Sequence, residues 1–340
     1  MQSDVLPTWP RRRLFGIGMA AAGLAALGAC TSGQPGEQTG LPTAIRNRPR
    51  PMPSVDVPVI NSLLTERNWI NYNPGAPFDL YALATRRPGA QGASENQLIT
   101  ELTTLHNAGL RGLVTNAMAF GLERAPQIAK QIGFRYVVAK LWWQDSELLA
   151  QEKANLDKAI DAVDAICVGN EVIEKGITDL DGLRREVDDI RNRYRRPVTT
   201  GFQPEDWQIH PELATNIGDF SFLNMHPWWQ LLRNDPITAA AWSAEAYDCI
   251  ANTPGISPNR ALIVQETGFP SGVESSLYWA PGATPQNQKR FYEALLATSV
   301  PFVWFLSSDS VSNRTNSAVS GYGGLWDENW KPKPVVDLLG

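Results

Sequence analysis

The stretch Ala165-Ile166-Cys167-Val168-Gly169-Asn170-Glu171-Val172 decides the fold. Its first four residues are small or branched apolar groups bounded by polar sequence, as in a strand buried on both faces of a parallel sheet. The run stops at Gly169, and Asn170 and Glu171 stand where a strand would pass into a loop. A carboxylate at the end of a buried strand is costly unless it is paired or used. Ala261-Leu262-Ile263-Val264-Gln265-Glu266 repeats the design ahead of the turn Thr267-Gly268-Phe269-Pro270. Two buried strands, each ending in Glu, predict two carboxylates facing each other across one pocket.

On either side of these stretches, apolar runs alternate with helical periodicity from Asn68 onward. The runs are Trp69–Asn73, Gly112–Asn116, Tyr136–Trp142, Ala165–Gly169, Pro197–Gly201, Phe220–His226, Ala261–Glu266 and Phe302–Phe305. Ser94 with Gln97 has the spacing of a capping box, and Leu98, Leu102 and Leu105 give the stripe of the helix behind it. A second helix is stopped by Gly133, and a third covers about 146–160. Leu180, Leu183, Val187 and Ile190 keep helical spacing behind a cap at Thr178 or Asp179. Asp235-Pro236 and Thr284-Pro285 open two more in the favoured order of cap and proline. Strands alternating with helices in this way predict a single (β/α)8 barrel over 54–340. A doubly wound open sheet is the alternative, and no Gly-rich phosphate fingerprint comes after the first run to support it.

Arg11-Arg12-Arg13-Leu14-Phe15 opens an apolar segment to Ala29, too short for a membrane span and right for a signal peptide. The arginines resemble a twin-arginine signal, and Leu27-Gly28-Ala29-Cys30 resembles a lipobox. Residues 1–30 are therefore expected to be the signal, with Cys30 lipidated as the first mature residue. Residues 31–53, rich in Thr, Ser, Gly, Pro and Gln, read as a tether with nothing to bury. Cys167 and Cys249 read as buried small hydrophobes, not as a disulfide framework. Three His and no CxxC indicate no metal site, and a net charge of −5 argues against a nucleic-acid partner.

In a barrel all strand ends open on one face, where the active site lies. Glu171 stands after the fourth strand and Glu266 after the seventh, on opposite sides of the ring. Paired carboxylates are what glycosidic cleavage needs: one protonates the leaving oxygen, the other attacks the anomeric carbon or activates water. Either Glu alone would read as a loop residue in an ion pair. The Trp residues add an independent signal, because sugar rings present flat C–H faces that pack on indole. Trp142 and Trp143 end strand three, Trp228 and Trp229 come after strand six, Trp304 sits in strand eight, and Trp207 and Trp279 fall in loops. Trp143, Trp228 and Trp304 are taken as substrate contacts; Trp69 and Trp242 are assigned to the core. Tyr72, Asn116 and Lys140, at the ends of the first three strands, are candidates by position alone. Asp309, after strand eight, reads equally as a substrate contact or a solvent-facing residue.

Val168-Gly169-Asn170-Glu171-Val172, Asn224-Met225-His226-Pro227-Trp228 and Gln265-Glu266-Thr267-Gly268-Phe269-Pro270-Ser271-Gly272 resemble three signatures of glycoside hydrolase family 17. Gly324-Leu325-Trp326 and Lys331-Pro332-Lys333-Pro334 resemble its closing loop. That family contains β-1,3-glucanases and glucanosyltransferases. The resemblance implies a retaining mechanism with Glu171 as acid/base and Glu266 as nucleophile, their carboxyls roughly 5–5.5 Å apart. It implies that Asn170 binds the sugar 2-hydroxyl and that His226 lines the pocket beside the nucleophile. Phe269 departs from the family's usual Trp, and the segment after strand six is short, which fits its transglycosylating members. The chain thus reads as an exported, lipid-anchored β-glucan hydrolase or transglycosidase needing no cofactor, and as a monomer. A barrel glycosidase for another β-linkage and a non-catalytic saccharide-binding lipoprotein remain the alternatives.

Overall fold

A computed structural model of the chain describes residues 56–230, 235–252, 255–257, 259–273, 280–310 and 320–339. The expected signal and lipobox (1–30), the tether (31–53) and Trp279 lie outside the described residues. Eight strands form a closed parallel barrel in chain order. They are β1 Trp69–Tyr72, β2 Gly112–Thr115, β3 Tyr136–Leu141, β4 Ala165–Asn170, β5 Val198–Phe202, β6 Ser221–Asn224, β7 Leu262–Thr267 and β8 Phe302–Trp304. The principal helices are α1 Pro58–Thr65, α2 Glu95–Asn107, α3 Ala125–Ile132, α4 Ser146–Ala159, α5 Leu180–Tyr194, α6 Pro236–Ala251 and α7 Pro285–Leu296.

The expected starts are visible in the caps. Ser94 accepts from the Gln97 amide, Asp179 from Gly182, Asp235 from Ile237 and Thr284 from Asn287. Each satisfies an amide that a helix start would otherwise leave orphaned. The Gln97 side chain leaves its capping box and reaches Glu101 instead.

Alternation along the strands divides the interior in two. Val59, Ile60, Leu63 and Leu64 of α1 pack with Trp69, Val114, Val138, Cys167, Phe222, Ile263 and Val303, the inward set of the barrel. The outward set packs against the helices and includes Ile70, Tyr72, Leu113, Val137, Ile166, Val264 and Trp304. Parity therefore corrects two expected substrate contacts. Tyr72 faces outward and donates its hydroxyl to Glu101 Oε2 at 2.7 Å. Trp304 also faces outward, its indole donating to the Gly323 carbonyl at 3.0 Å and its ring packed on Tyr292. Neither ring is within reach of a pocket inside the barrel mouth.

Two bulges break the alternation. Between the pairs Cys167↔Thr199 and Asn170↔Gly201, β4 has one residue more than β5. Between Val264↔Phe302 and Thr267↔Trp304, β7 has one more than β8. A bulge turns two successive side chains toward one face and re-aims the residues beyond it. Both lie at the barrel mouth, beside Glu171 and Glu266.

The cysteines divide differently from expectation. Cys167 is free and fully buried, and burial pushes its thiol up to about 12. Cys249, however, is disulfide-bonded. Half-buried near the end of α6, it packs against the core but is not simply a small core residue.

Candidate active site

Glu266 lies on the β7 bulge, 5% exposed. Lys140 Nζ of β3, 1% exposed, reaches Glu266 Oε1 at 2.8 Å and also donates to Asn116 Oδ1 at 3.3 Å. Gln265 donates to the same Glu266 oxygen at 3.2 Å, and Asn71 holds Gln265 in turn. The other oxygen lies 3.4 Å from His226 Nε2. Burial alone would push the Glu266 carboxyl up; Lys140 and His226 outweigh it and hold the group far below the usual carboxylate range. Glu266 is thus a buried anion with a cation on one oxygen and an imidazole on the other.

Glu171 comes directly after β4 with a left-handed backbone at φ 59°, unusual for a residue with a side chain. Gly169, at φ 70°, makes the preceding turn, where an added Cβ would meet Val172 at 2.6 Å. Asn224 of β6 spans both polar residues, donating to Glu171 Oε1 at 2.8 Å and to Asn170 Oδ1 at 3.0 Å. Lys175 closes the outer side, 3.1 Å from Glu171 Oε2 and 3.1 Å from the Asn170 carbonyl. Burial and the charge of Glu266 push the Glu171 carboxyl up, while Lys175 and the Asn224 and Gln203 side chains pull it down; the net direction is down. The two carboxylates feel one another, so they titrate as a pair. Gly201 is what lets Asn170 fit, since a Cβ there would lie 2.2 Å from Asn170 Oδ1.

The structure thus brings Glu171, Asn170, Glu266, His226 and Asn116 together, with Lys140 among them. Trp228 contributes differently from expectation. It is 1% exposed, packed on Ala280 and Ala283, and its ring lies 4.5 Å from that of His226, which it orients. Phe305 covers another side of the same imidazole at 5.4 Å. Trp143 sits elsewhere, lining an outer groove of about 500 Å³ with Leu149, Lys153, Asp157, Glu186 and Arg193, between α4 and α5. Asp309 does not face solvent: it is 4% exposed, accepts from the Gly324 amide and pairs with Lys333 Nζ at 2.5 Å. Lys175 is a site residue that sequence reading missed, and Asn224, although inside a quoted motif, was given no role there. An inward parity for Asn224, and a basic residue four positions after Glu171, were the available signals.

The arrangement can hold one buried carboxylate ionised for attack and present a second across the barrel mouth for proton transfer. A closed barrel carrying this pair defines the class: the protein is a barrel glycosidase. It belongs to the family described as the BtgE/BtgC glycoside hydrolase domain, which matches residues 81–327. No curated protein sequence matches the chain. Solved structures share the fold at low identity. A GH5_18 protein from Bifidobacterium longum subsp. infantis is 15% identical with a TM-score of 0.57, over 80% of this chain and 76% of that one. The Faecalibacterium prausnitzii β-glucuronidase is 16% identical at 0.54, over 80% of this chain but 47% of that one. The exo-β-1,4-mannosidase Op5Man5 from Opitutaceae bacterium strain TAV5 is 12% identical at 0.52, over 79% of this chain and 57% of that one. The chain spans about half of the β-glucuronidase and three quarters of the GH5_18 protein.

Proposed function

We propose that the protein cleaves or transfers β-glucan, with β-1,3 the foremost linkage, by double displacement, with Glu266 as nucleophile and Glu171 as acid/base. The observation that carries this reading is the ionised, buried Glu266 held between Lys140 and His226 and facing a second carboxylate. A nucleophile must be deprotonated when substrate arrives, and the local charges favour that form. Glu171 protonates the departing oxygen; Glu266 attacks the anomeric carbon and forms a glycosyl ester. Glu171, now a carboxylate, takes a proton from water or a sugar hydroxyl, which displaces Glu266. Asn170 binds the sugar 2-hydroxyl, a contact that strengthens toward the transition state.

The three motif patches that resemble glycoside hydrolase family 17 support the β-1,3 linkage, and the short segment after β6 supports transglycosylation. The double arginine and the lipobox support export with a lipid anchor at Cys30, on the outer side of a bacterial membrane, and monomer is the default.

The test is product sizing on β-1,3-, β-1,2-, β-1,4- and mixed-linkage glucooligosaccharides, with Glu266→Gln as control. Shortened β-1,3 products that vanish in the variant are expected from hydrolysis, and products longer than the substrate from transfer. Binding without turnover, unchanged in the variant, would instead mean a saccharide-binding protein.

A further inference from the structure

Lys175 has no part in the double displacement as usually drawn, yet its ammonium touches the reacting group. It lies one turn beyond Glu171, joined to it by the Lys175 amide donating to the Glu171 carbonyl at 3.1 Å. Its Nζ bridges Glu171 Oε2 and the Asn170 carbonyl, both at 3.1 Å. The contact fixes the carboxylate where the chain is in a left-handed turn that a side chain adopts only at a cost. We propose that Lys175 is a positioning residue that clamps Glu171 against the end of β4 and thereby sets the pH range over which Glu171 can donate its proton. The proposal rests on Glu171 being the acid/base.

The surroundings make Lys175 the deciding cation. Facing Glu171 are Glu266 from β7, the neutral Asn224 from β6, and Gln203 just after β5, and the Tyr81 phenol faces Lys175 from the other side. Glu174 and Asp206 lie close by; burial chiefly, and the charge of Glu171 in smaller part, pushes them up to about 7 and about 6. Lys140 is committed to Glu266 and Asn116 on the far side of the pair. Against this acidic setting, only Lys175 contacts Glu171 with positive charge among the described residues. The chemistry has a direction. In the first step Glu171 must carry a proton, which Lys175 opposes; the second step starts from the carboxylate, the form that Lys175 favours. Lys175 therefore makes Glu171 a stronger acid but keeps it protonated only at lower pH.

The test combines two readings of wild type, Lys175→Met and Lys175→Arg. The first is the pH profile of kcat/KM on the glucooligosaccharide that is turned over. Its alkaline limb tracks loss of the Glu171 proton, so it should move up by about one pH unit in the Met variant, the size of a lost ion pair, and stay near wild type with Arg. The second is the titration of Glu171 by carbon NMR of glutamate-labelled protein, assigned against Glu171→Gln, which should move the same way. A Met variant that loses rate equally at every pH, with the Glu171 titration unmoved, would overturn the proposal. If the titration moves while no glucan is turned over by any of the three, the clamp stands and the glucanase reading falls.

Discussion

Lys140 is the residue on which the ionisation of Glu266 depends. A carboxyl whose folded pKa is depressed contributes stability above its unfolded value, near 4.3, and loses it as pH falls through the folded one. Lys140→Met removes the principal cause of that depression, so the folded pKa of Glu266 rises and the acid limb of kcat/KM moves to higher pH. The variant should lose activity first at low pH, and it should unfold more easily at pH 7 by about 3 kcal/mol, because a buried carboxylate is left without its cation. A pH–rate profile with denaturant unfolding checks both; an unmoved acid limb would mean that His226 and Gln265 suffice. At this level the sequence was readable where a carboxylate ends an apolar run, as at Glu171 and Glu266, which the structure brings together at the barrel mouth. Tyr72 and Trp304 misled because each stands at the mouth in sequence but on the outward face by parity. Asn71, one residue before Tyr72, is the one that reaches the site, through Gln265.

The elements were legible because each strand and helix obeys a period, and the caps at Ser94, Asp179, Asp235 and Thr284 mark starts by their own chemistry. The bulges in β4 and β7 were not, since an inserted residue changes neither composition nor hydrophobicity. Nor was the role of α4 as a brace. Its Glu152 is fully buried and accepts from the Met118 amide at 2.8 Å, tying α4 to the loop after β2. Burial pushes this carboxyl up to about 8. Since the folded pKa is raised, the associated stability is fully present below the unfolded value and is lost as pH rises toward 8. Glu152→Gln keeps an acceptor for Met118 and does not ionise. Its advantage over wild type should be small at pH 5 and grow to about 3 kcal/mol by pH 8, read as the difference in unfolding free energy at the two pH values. A difference that is flat with pH would show that Glu152 is already ionised in the fold.

For the molecule as a whole, closure of the barrel brings residues nearly a hundred positions apart into one site, and the order of the strands alone was enough to foresee it. The fate of the chain ahead of the barrel depends instead on one sulfur. Cys30 cannot carry a lipid thioether and also join a disulfide, and the sequence holds only two other cysteines. Cys167 is sealed in β4 as a free thiol, while Cys249 is disulfide-bonded. If the exported protein is lipidated at Cys30, as the lipobox predicts, Cys249 must be a thiol in that mature form. Protein taken from the membrane fraction, denatured without reductant, should then show two titratable thiols, Cys167 and Cys249, and an N-terminal peptide bearing the mass of the lipid. Cys30→Ser should move the protein to the soluble fraction without altering the Glu171–Glu266 site. A single thiol with no lipid on the N-terminal peptide would sink the anchor.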